Sequence, residues 1–282
     1  IEIVLFKRKI FITHGEFCIM RLLKMSRSET RLKYIPIFAE NIVLKNLPKG
    51  LKRVLDFGCG RGSFTNELVS RVAKVYACDV DRDVIKEDKQ RKDKIIYQLI
   101  KINGKIPYPD NFFDCVTLMG VLEHVPNENQ VLEEIYRILK PKGILFIYVL
   151  NKGLFGFLDS ANLKFAVPKL HKYLYYLFYN RKAYEKEFIQ KRIFGMKGDF
   201  SEGKNWHTHY SLTTLKRLSK GMFELQNVWY YSFFLPILLI LDFVFFKIFG
   251  RISRFISWLV NIDTRISLGR FSYCIVVKLR KI

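Results

Sequence analysis

The sequence predicts an α/β fold: a doubly wound, mostly parallel seven-stranded sheet with helices on both faces, interrupted by aromatic and basic insertions. Three observations predict it. Short apolar runs at 53–57, 74–78, 95–102, 114–119 and 143–150 alternate with stretches of helical spacing. Parallel neighbours need such crossovers, and continuous apolar strands need both faces covered. Two more runs rich in Val, Ile, Tyr and Phe, at 222–229 and 271–280, read as closing strands. The first strand runs straight into glycines that open a helix, VLDFGCGRG at 54–62, which places a ligand beyond the carboxyl ends of the strands.

In chain order, a basic lead-in occupies 1–34, and Leu32, Ile35, Ile37, Phe38 and Ile42 can cover one edge of the fold before Pro48 and Gly50 break the pattern. Residues 63–73 place Phe64, Leu68, Val69 and Val72 at helical spacing. A helix over 127–140 starts at a capping-type Asn127, lines up Val131, Leu132, Ile135, Ile138 and Leu139, and stops at Pro141 and Gly143. From 151 to 210 the alternation yields to an aromatic, basic stretch, and 211–220 is helical again. Between the closing strands lies an insertion at 231–270 containing FFLPILLILDFVFF (233–246).

With 50% hydrophobic and 26% charged residues, the 282-residue chain can bury a sizeable core, which excludes the disordered and collagen-like classes. Lys and Arg total 48 against 26 Asp and Glu, a formal +22, of which residues 35–162 carry only +3. An anionic partner therefore meets the flanks: phospholipid headgroups, nucleic acid or a phosphorylated substrate. Cys18, Cys59, Cys78, Cys115 and Cys274 form no CxxC pair and sit mostly in apolar runs, which reads as buried reduced thiols in the cytosol. The opening IEIVLF is shorter than a signal-peptide core, so no secretion signal is expected.

The glycine turn does not fit a dinucleotide site, because Ser63 stands where a third glycine is required and an acid, Asp56, precedes the glycines. An acid there suits a ligand with positive charge and no pyrophosphate. Asp79 lies at the end of the second strand, where a carboxylate accepts both ribose hydroxyls, so a nucleoside is implied. Capping of the following helix is the plainer reading of Asp79.

VLDFGCGRG (54–62), VYACDVD (75–81), IPYPDNFFDCV (106–116) and VLEHVPNENQVLEEIYRILKPKG (121–143) resemble the class I S-adenosylmethionine-dependent methyltransferases, in order, over about residues 52–150. The resemblance implies a Rossmann-like fold, S-adenosyl-L-methionine as cofactor, and methyl transfer. It places Asp56, Gly58, Cys59, Gly60 and Gly62 around the methionine part, Asp79 and Val80 at the ribose, Asn103 and Gly104 at the adenine, and Met119 in the cofactor cleft. The family often carries Asp near position 103, and Asn can still hydrogen-bond an adenine edge. The implied domain reading is a basic N-terminal extension at 1–34 and a methyltransferase domain at 35–282. Within it lie a cofactor-binding core at 52–150, an acceptor-side insertion at 151–210 and an apolar, membrane-associating insertion at 231–270.

Glu123 and His124 follow the fourth strand. A histidine there can take the proton of a hydroxyl acceptor, with Glu123 positioning it, although LEHV also occurs with varied acceptors. His207 and His209 precede the helix at 211–220. Histidines at i and i+2 with no neighbouring acid or cysteine are poor metal ligands, so no metal is expected. They are read as acceptor contacts, or as loop histidines without a role.

The 14-residue run at 233–246 falls short of the about 20 apolar residues a span needs, with Pro236 and Asp242 interrupting it. An in-plane anchor is expected, with a buried cap or dimer surface as the alternative. Lys247, Arg251, Arg254, Arg265 and Arg270, with Trp229, Tyr230, Tyr231 and Trp258, suit an anionic membrane surface. Nucleic acid is disfavoured, because these basic residues flank an aliphatic run rather than exposed aromatics on a solvated face. The expected function is O-methylation of a saccharide or lipid-linked acceptor, by a cytoplasmic enzyme peripheral at the inner face of the membrane. NKGLFGFLDSANLKF (151–165) resembles family members of surface-polysaccharide and glycolipid pathways. The LEHV segment also resembles quinone-pathway O-methyltransferases, so an isoprenoid quinone precursor is the alternative acceptor, with RNA a weaker one.

Overall fold

The computed structural model describes residues 34–60, 62–81, 94–101, 104–159, 162, 166–178, 181–185, 207–249 and 253–282. The basic extension, Cys18 and Asn103 lie outside the described residues. Seven strands form one sheet: β1 Arg53–Phe57, β2 Lys74–Asp79, β3 Ile95–Leu99, β4 Phe113–Met119, β5 Leu139–Leu150, β6 Phe223–Tyr231 and β7 Cys274–Lys281. Their order is β3-β2-β1-β4-β5-β7-β6. The first five strands pair parallel with one another, and β7 pairs antiparallel with both β5 and β6. The mostly parallel, seven-stranded, doubly wound expectation holds.

Successive side chains of a strand alternate between faces, so each strand feeds two cores. Leu55, Phe57, Val116, Leu118 and Ile147 pack on one face with α3 (Glu128–Ile138) and α6 (Leu212–Leu218). Val54, Val75, Ala77, Cys115 and Phe146 pack on the other. That second face is covered by α1 (Tyr34–Asn46), α2 (Ser63–Leu68), α7 (Leu235–Phe249) and α8 (Arg254–Asp263). The segment between β5 and β6 contributes α4 (Pro168–Phe178) and α5 (Arg181–Tyr184).

Asn127 caps α3 as expected, its side chain accepting from Gln130 N at 3.2 Å. The helix ends at Ile138 rather than continuing to Lys140, and β5 starts four residues before the expected Gly143. Pro141 bars the helical conformation at Lys140, and Leu139 is already extended. The strand absorbs the misfit as a register shift, with Lys142 at φ 61. At the start of β4, Asp114 is structural: it accepts from Lys52 N at 2.8 Å and Arg53 N at 2.7 Å and pairs with Lys140.

The apolar insertion folds as α7 and α8, held by Asp263, whose Oδ1 accepts from Phe233 N at 2.9 Å and Phe234 N at 2.8 Å. No helix among the described residues is long and apolar enough to cross a membrane. The 15 residues of α7 reach about 22 Å, against an apolar layer of about 30 Å. Cys59, Cys78, Cys115 and Cys274 are buried and form no disulfide among the described residues.

Replacing the capping side chain by Asn127→Ala is expected to cost about 1 kcal/mol, read as a lower urea midpoint with an unchanged slope. A changed slope, or no change in midpoint, would deny the cap its role.

Candidate active site

After β1 the chain turns to β2 and β3 on one side, and it returns through β4 on the other. This divergence leaves a crevice beyond the carboxyl ends of β1 and β4, where open α/β sheets bind ligands. The glycine turn forms its floor. Gly58, Gly60 and Gly62 all have positive φ, and a Cβ on Gly58 would stand 2.5 Å from a Val121 methyl. Gly58 N and Cys59 N both donate to Cys78 O, at 2.8 and 3.0 Å, fixing the turn to the end of β2. Asp79, buried there, accepts from Gly60 N at 2.8 Å and from Asp81 N at 3.0 Å.

Asp56 is buried beneath the same turn, accepting from Thr65 Oγ1 at 2.6 Å and Thr117 Oγ1 at 3.0 Å. Burial pushes its pKa up to about 6; those hydrogen bonds oppose the rise and the charge of Asp79 adds to it. Glu40 on α1, a residue outside every motif, is buried nearby, and burial followed by repulsion from Asp56 and Glu67 raises its pKa to about 7. The turn therefore sits over crowded carboxyl groups, a setting that favours positive charge. Around it, Cys59 is buried, Val80 and Met119 are half-buried at their strand ends, and Gly104 N donates to Lys101 O at 3.1 Å.

Beyond β4 the structure brings together Glu123, His124, His207 and His209. The first two lie on a short 3-10 turn, Leu122–His124, and the His124 and His207 rings stack at 5.1 Å. The sequence reading that the histidines lack a neighbouring acid is corrected by Asp159. Its Oδ2 lies 2.7 Å from His207 Nδ1 and 2.9 Å from His209 Nε2. Burial alone would raise the Asp159 pKa, but the hydrogen bonds and charges of the two imidazoles hold it well below the usual carboxylate range.

Three other residues build this cluster, two of them inside the 151–165 segment, where the sequence pattern assigns them no role. Asn162 clamps the His207 backbone, accepting from its N at 2.7 Å and donating to its O at 2.9 Å. Tyr210 Oη donates to Leu122 O and is 2.9 Å from Glu128 Oε1, locking the turn that carries Glu123 and His124. Gly156 leaves room for His209, because a Cβ would lie 2.8 Å from His209 Nδ1. Asp159 and its histidines are 48 and 50 residues apart, so no local pattern announces them.

Residues 55–147 match a family model described as a methyltransferase domain. That match, with methyltransferase-named relatives, supports a class I S-adenosylmethionine-dependent methyltransferase. It is 34% identical over 151 residues to a demethylmenaquinone methyltransferase of Geobacillus stearothermophilus, covering 50% of this chain and 62% of that one. It is 36% identical over 129 residues to an uncharacterized protein of Methanocaldococcus jannaschii, covering 43% and 54%. The chain thus spans less than two thirds of these relatives' lengths. A putative sarcosine dimethylglycine methyltransferase from Galdieria sulphuraria shares the fold, with a TM-score of 0.54 at 15% identity over 94% of this chain and 97% of that one.

The methyltransferase cofactor, S-adenosylmethionine, fits the crevice: the glycine turn presents bare backbone, Asp79 stands at a strand end for hydroxyls, and the carboxyl groups beneath suit a cation. Calorimetric titration is expected to show S-adenosylmethionine binding and no NAD binding, with Asp79→Ala weakening the former at least about tenfold, as for a lost charge-assisted hydrogen bond. Unaltered affinity in Asp79→Ala would remove it from the site.

Glu40 and Asp56 hold their protons more tightly folded than unfolded, so the stability they contribute is full below about pH 4 and is lost as pH rises through about 6 to 7. Glu40→Gln is expected to flatten that decline, by at most about 3 kcal/mol. An identical pH slope in the variant would exclude Glu40 as its cause.

Proposed function

We propose that the protein transfers a methyl group from S-adenosylmethionine to a hydroxyl oxygen of a lipid-linked saccharide, working as a peripheral enzyme at the inner face of a membrane. One observation carries this reading: the polar cluster beyond β4 is continuous with an exposed apolar surface. The 151–159 segment that ends in Asp159 exposes Leu154 and Phe157, the latter 72% accessible. Phe155 packs edge-on against Phe233 and tilted against Phe234 just before α7, with ring centroids 5.0 and 6.2 Å apart. From there α7 exposes Ile240, Leu241, Val244, Ile248 and Phe249, and α8 exposes Phe255 and Trp258. Asp242, the one acid in α7, is buried and adds no charge to these exposed residues. Contiguous apolar exposure of this kind marks a membrane or partner site.

In this reading 151–210 forms the acceptor side and 231–270 the membrane-associating side. When bound, S-adenosylmethionine supplies a methyl group already activated by the positive charge on sulfur. The chain's own residues hold the acceptor. Asp79 and the glycine turn fix the nucleoside side, and Glu123 positions His124. His124, at the crevice mouth, receives the hydroxyl proton. Most of the rate gain comes from alignment of the acceptor oxygen rather than from the base.

A second reading takes the acceptor as a prenylated quinone ring, methylated at carbon rather than at the oxygen expected from the sequence. Relatives named as ubiquinone/menaquinone biosynthesis C-methyltransferases, at 33% identity over 39% of this chain, support it, and the same apolar surface would receive its tail.

Two measurements test these readings. Sedimentation with vesicles containing phosphatidylglycerol is expected to capture the protein, and Phe255→Ser with Trp258→Ser to weaken capture about tenfold or more. Protein left in the supernatant in both cases would end the membrane assignment. Methyl transfer from radiolabelled S-adenosylmethionine is expected to label glycolipid extracts in an alkoxy ether. Label on a quinone ring carbon would establish the second reading instead.

A further inference from the structure

The cluster beyond β4 holds more ligating chemistry than proton transfer requires. We propose that Asp159, His207 and His209, with Glu123 beside them, bind a divalent first-row transition metal ion.

Two imidazole nitrogens and a carboxylate oxygen already converge. His207 Nδ1 and His209 Nε2 face the same oxygen, Asp159 Oδ2, at 2.7 and 2.9 Å. Ligand atoms on bonds of about 2.1 Å at right angles stand about 3.0 Å apart, so these separations suit adjacent positions of a five- or six-coordinate ion. Ligand atoms of Asp159, His207 and His209 lie within 4.8 Å of one another, as do those of Glu123, His124 and His207. His207 joins the two groups.

Glu123 supplies the independent observation. Its side chain is 4% exposed, and its Oε2 has no hydrogen-bond partner among the described residues. A buried carboxylate oxygen left unpaired is costly, and a cation beside it removes that cost. Asp159 and Glu123 fall in the two separate groups that His207 joins, so Asp159 is the carboxylate ligand and Glu123 adds a second buried negative charge alongside. The donors are nitrogen and oxygen without thiolate, which selects Mn²⁺, Fe²⁺, Co²⁺ or Zn²⁺ over Mg²⁺ or Ca²⁺.

The support is built in as well. Asn162 holds the His207 main chain at both its N and its O, and Gly156 admits the His209 ring. Such outer contacts orient ligands and are a regular part of metal sites. Binding of the ion is independent of the methyl-transfer reading. Its use, holding an acceptor hydroxyl and lowering its pKa, rests on that reading.

The test uses the full chain without an affinity tag, stripped by a chelator and then titrated calorimetrically with Mn²⁺ and with Zn²⁺. Saturation at one ion per chain, with a Kd of roughly micromolar or below, is expected. Asp159→Asn and His209→Gln should each weaken binding by about a hundredfold or more, while cooperative melting and S-adenosylmethionine titration verify the fold. If either variant melts without cooperativity, the nearly isosteric Glu123→Gln, which removes a buried charge beside the ligands, is expected to weaken binding about tenfold. A Kd of about 1 mM or weaker for both ions, or wild-type affinity in folded variants, overturns the site. Methyl transfer that survives chelation undiminished also removes the ion from catalysis and leaves the methyl-transfer reading standing. One ion bound tightly without methyl transfer to any acceptor supports the site and sinks that reading instead.

Discussion

The divergence of the chain at β1 and β4 is the constraint on which the rest of the structure depends. Because β1 leads toward β2 and β4 leads toward β5, their carboxyl ends have no crossover between them. The glycine turn, the buried carboxyl groups and the polar cluster all gather at that gap. Asp79 binds Gly60 N across the β1–β2 side, and Tyr210 binds Leu122 O across the β4 side. One set of contacts shapes the glycine-lined floor and the other fixes the wall that carries Glu123 and His124. The parallel strands make these ends coincide, while the antiparallel pair β6 and β7 closes the sheet away from the gap.

What was legible in the sequence was what depends on neighbours along the chain. The apolar runs became strands, Asn127 became a cap, and VLDFGCGRG became a left-handed turn, because each is decided within a few residues. The end of α3 was misjudged by two residues for an equally local reason: periodicity favoured Leu139 on the helix face, and Pro141 won. Glu40, Asp159, Asn162 and Tyr210 were silent because their partners lie far along the chain. Tyr210 is 88 residues from Leu122, and nothing around it signals a buried hydroxyl donor. The histidine pair was visible, but the acid that gives it meaning was not.

The two halves of the crevice also differ in how their polar groups are satisfied. On the nucleoside side, Asp56 and Asp79 accept from nearby hydroxyls and backbone N–H groups. Those contacts hold the site in shape before any ligand arrives. On the acceptor side, a carboxylate oxygen of Glu123 remains buried and without a hydrogen-bond partner among the described residues. That oxygen costs stability unless something else meets it. Natural chains keep such tension chiefly where it serves chemistry.

The placement of α7 and α8 between β6 and β7 has an evolutionary consequence. Those two strands pair directly along their length, so the sheet closes whatever the connection between them contains. The helical pair is a hairpin loop grown large, tethered by Asp263 to its own start. The outward side of such a loop can change between chains without disturbing the register of the strands that frame the crevice, provided the residues that cover the sheet, Leu235, Leu238, Ile256 and Val260, are kept. The outer surface of the insertion and the glycine-lined crevice are thereby free to diversify separately on a single scaffold.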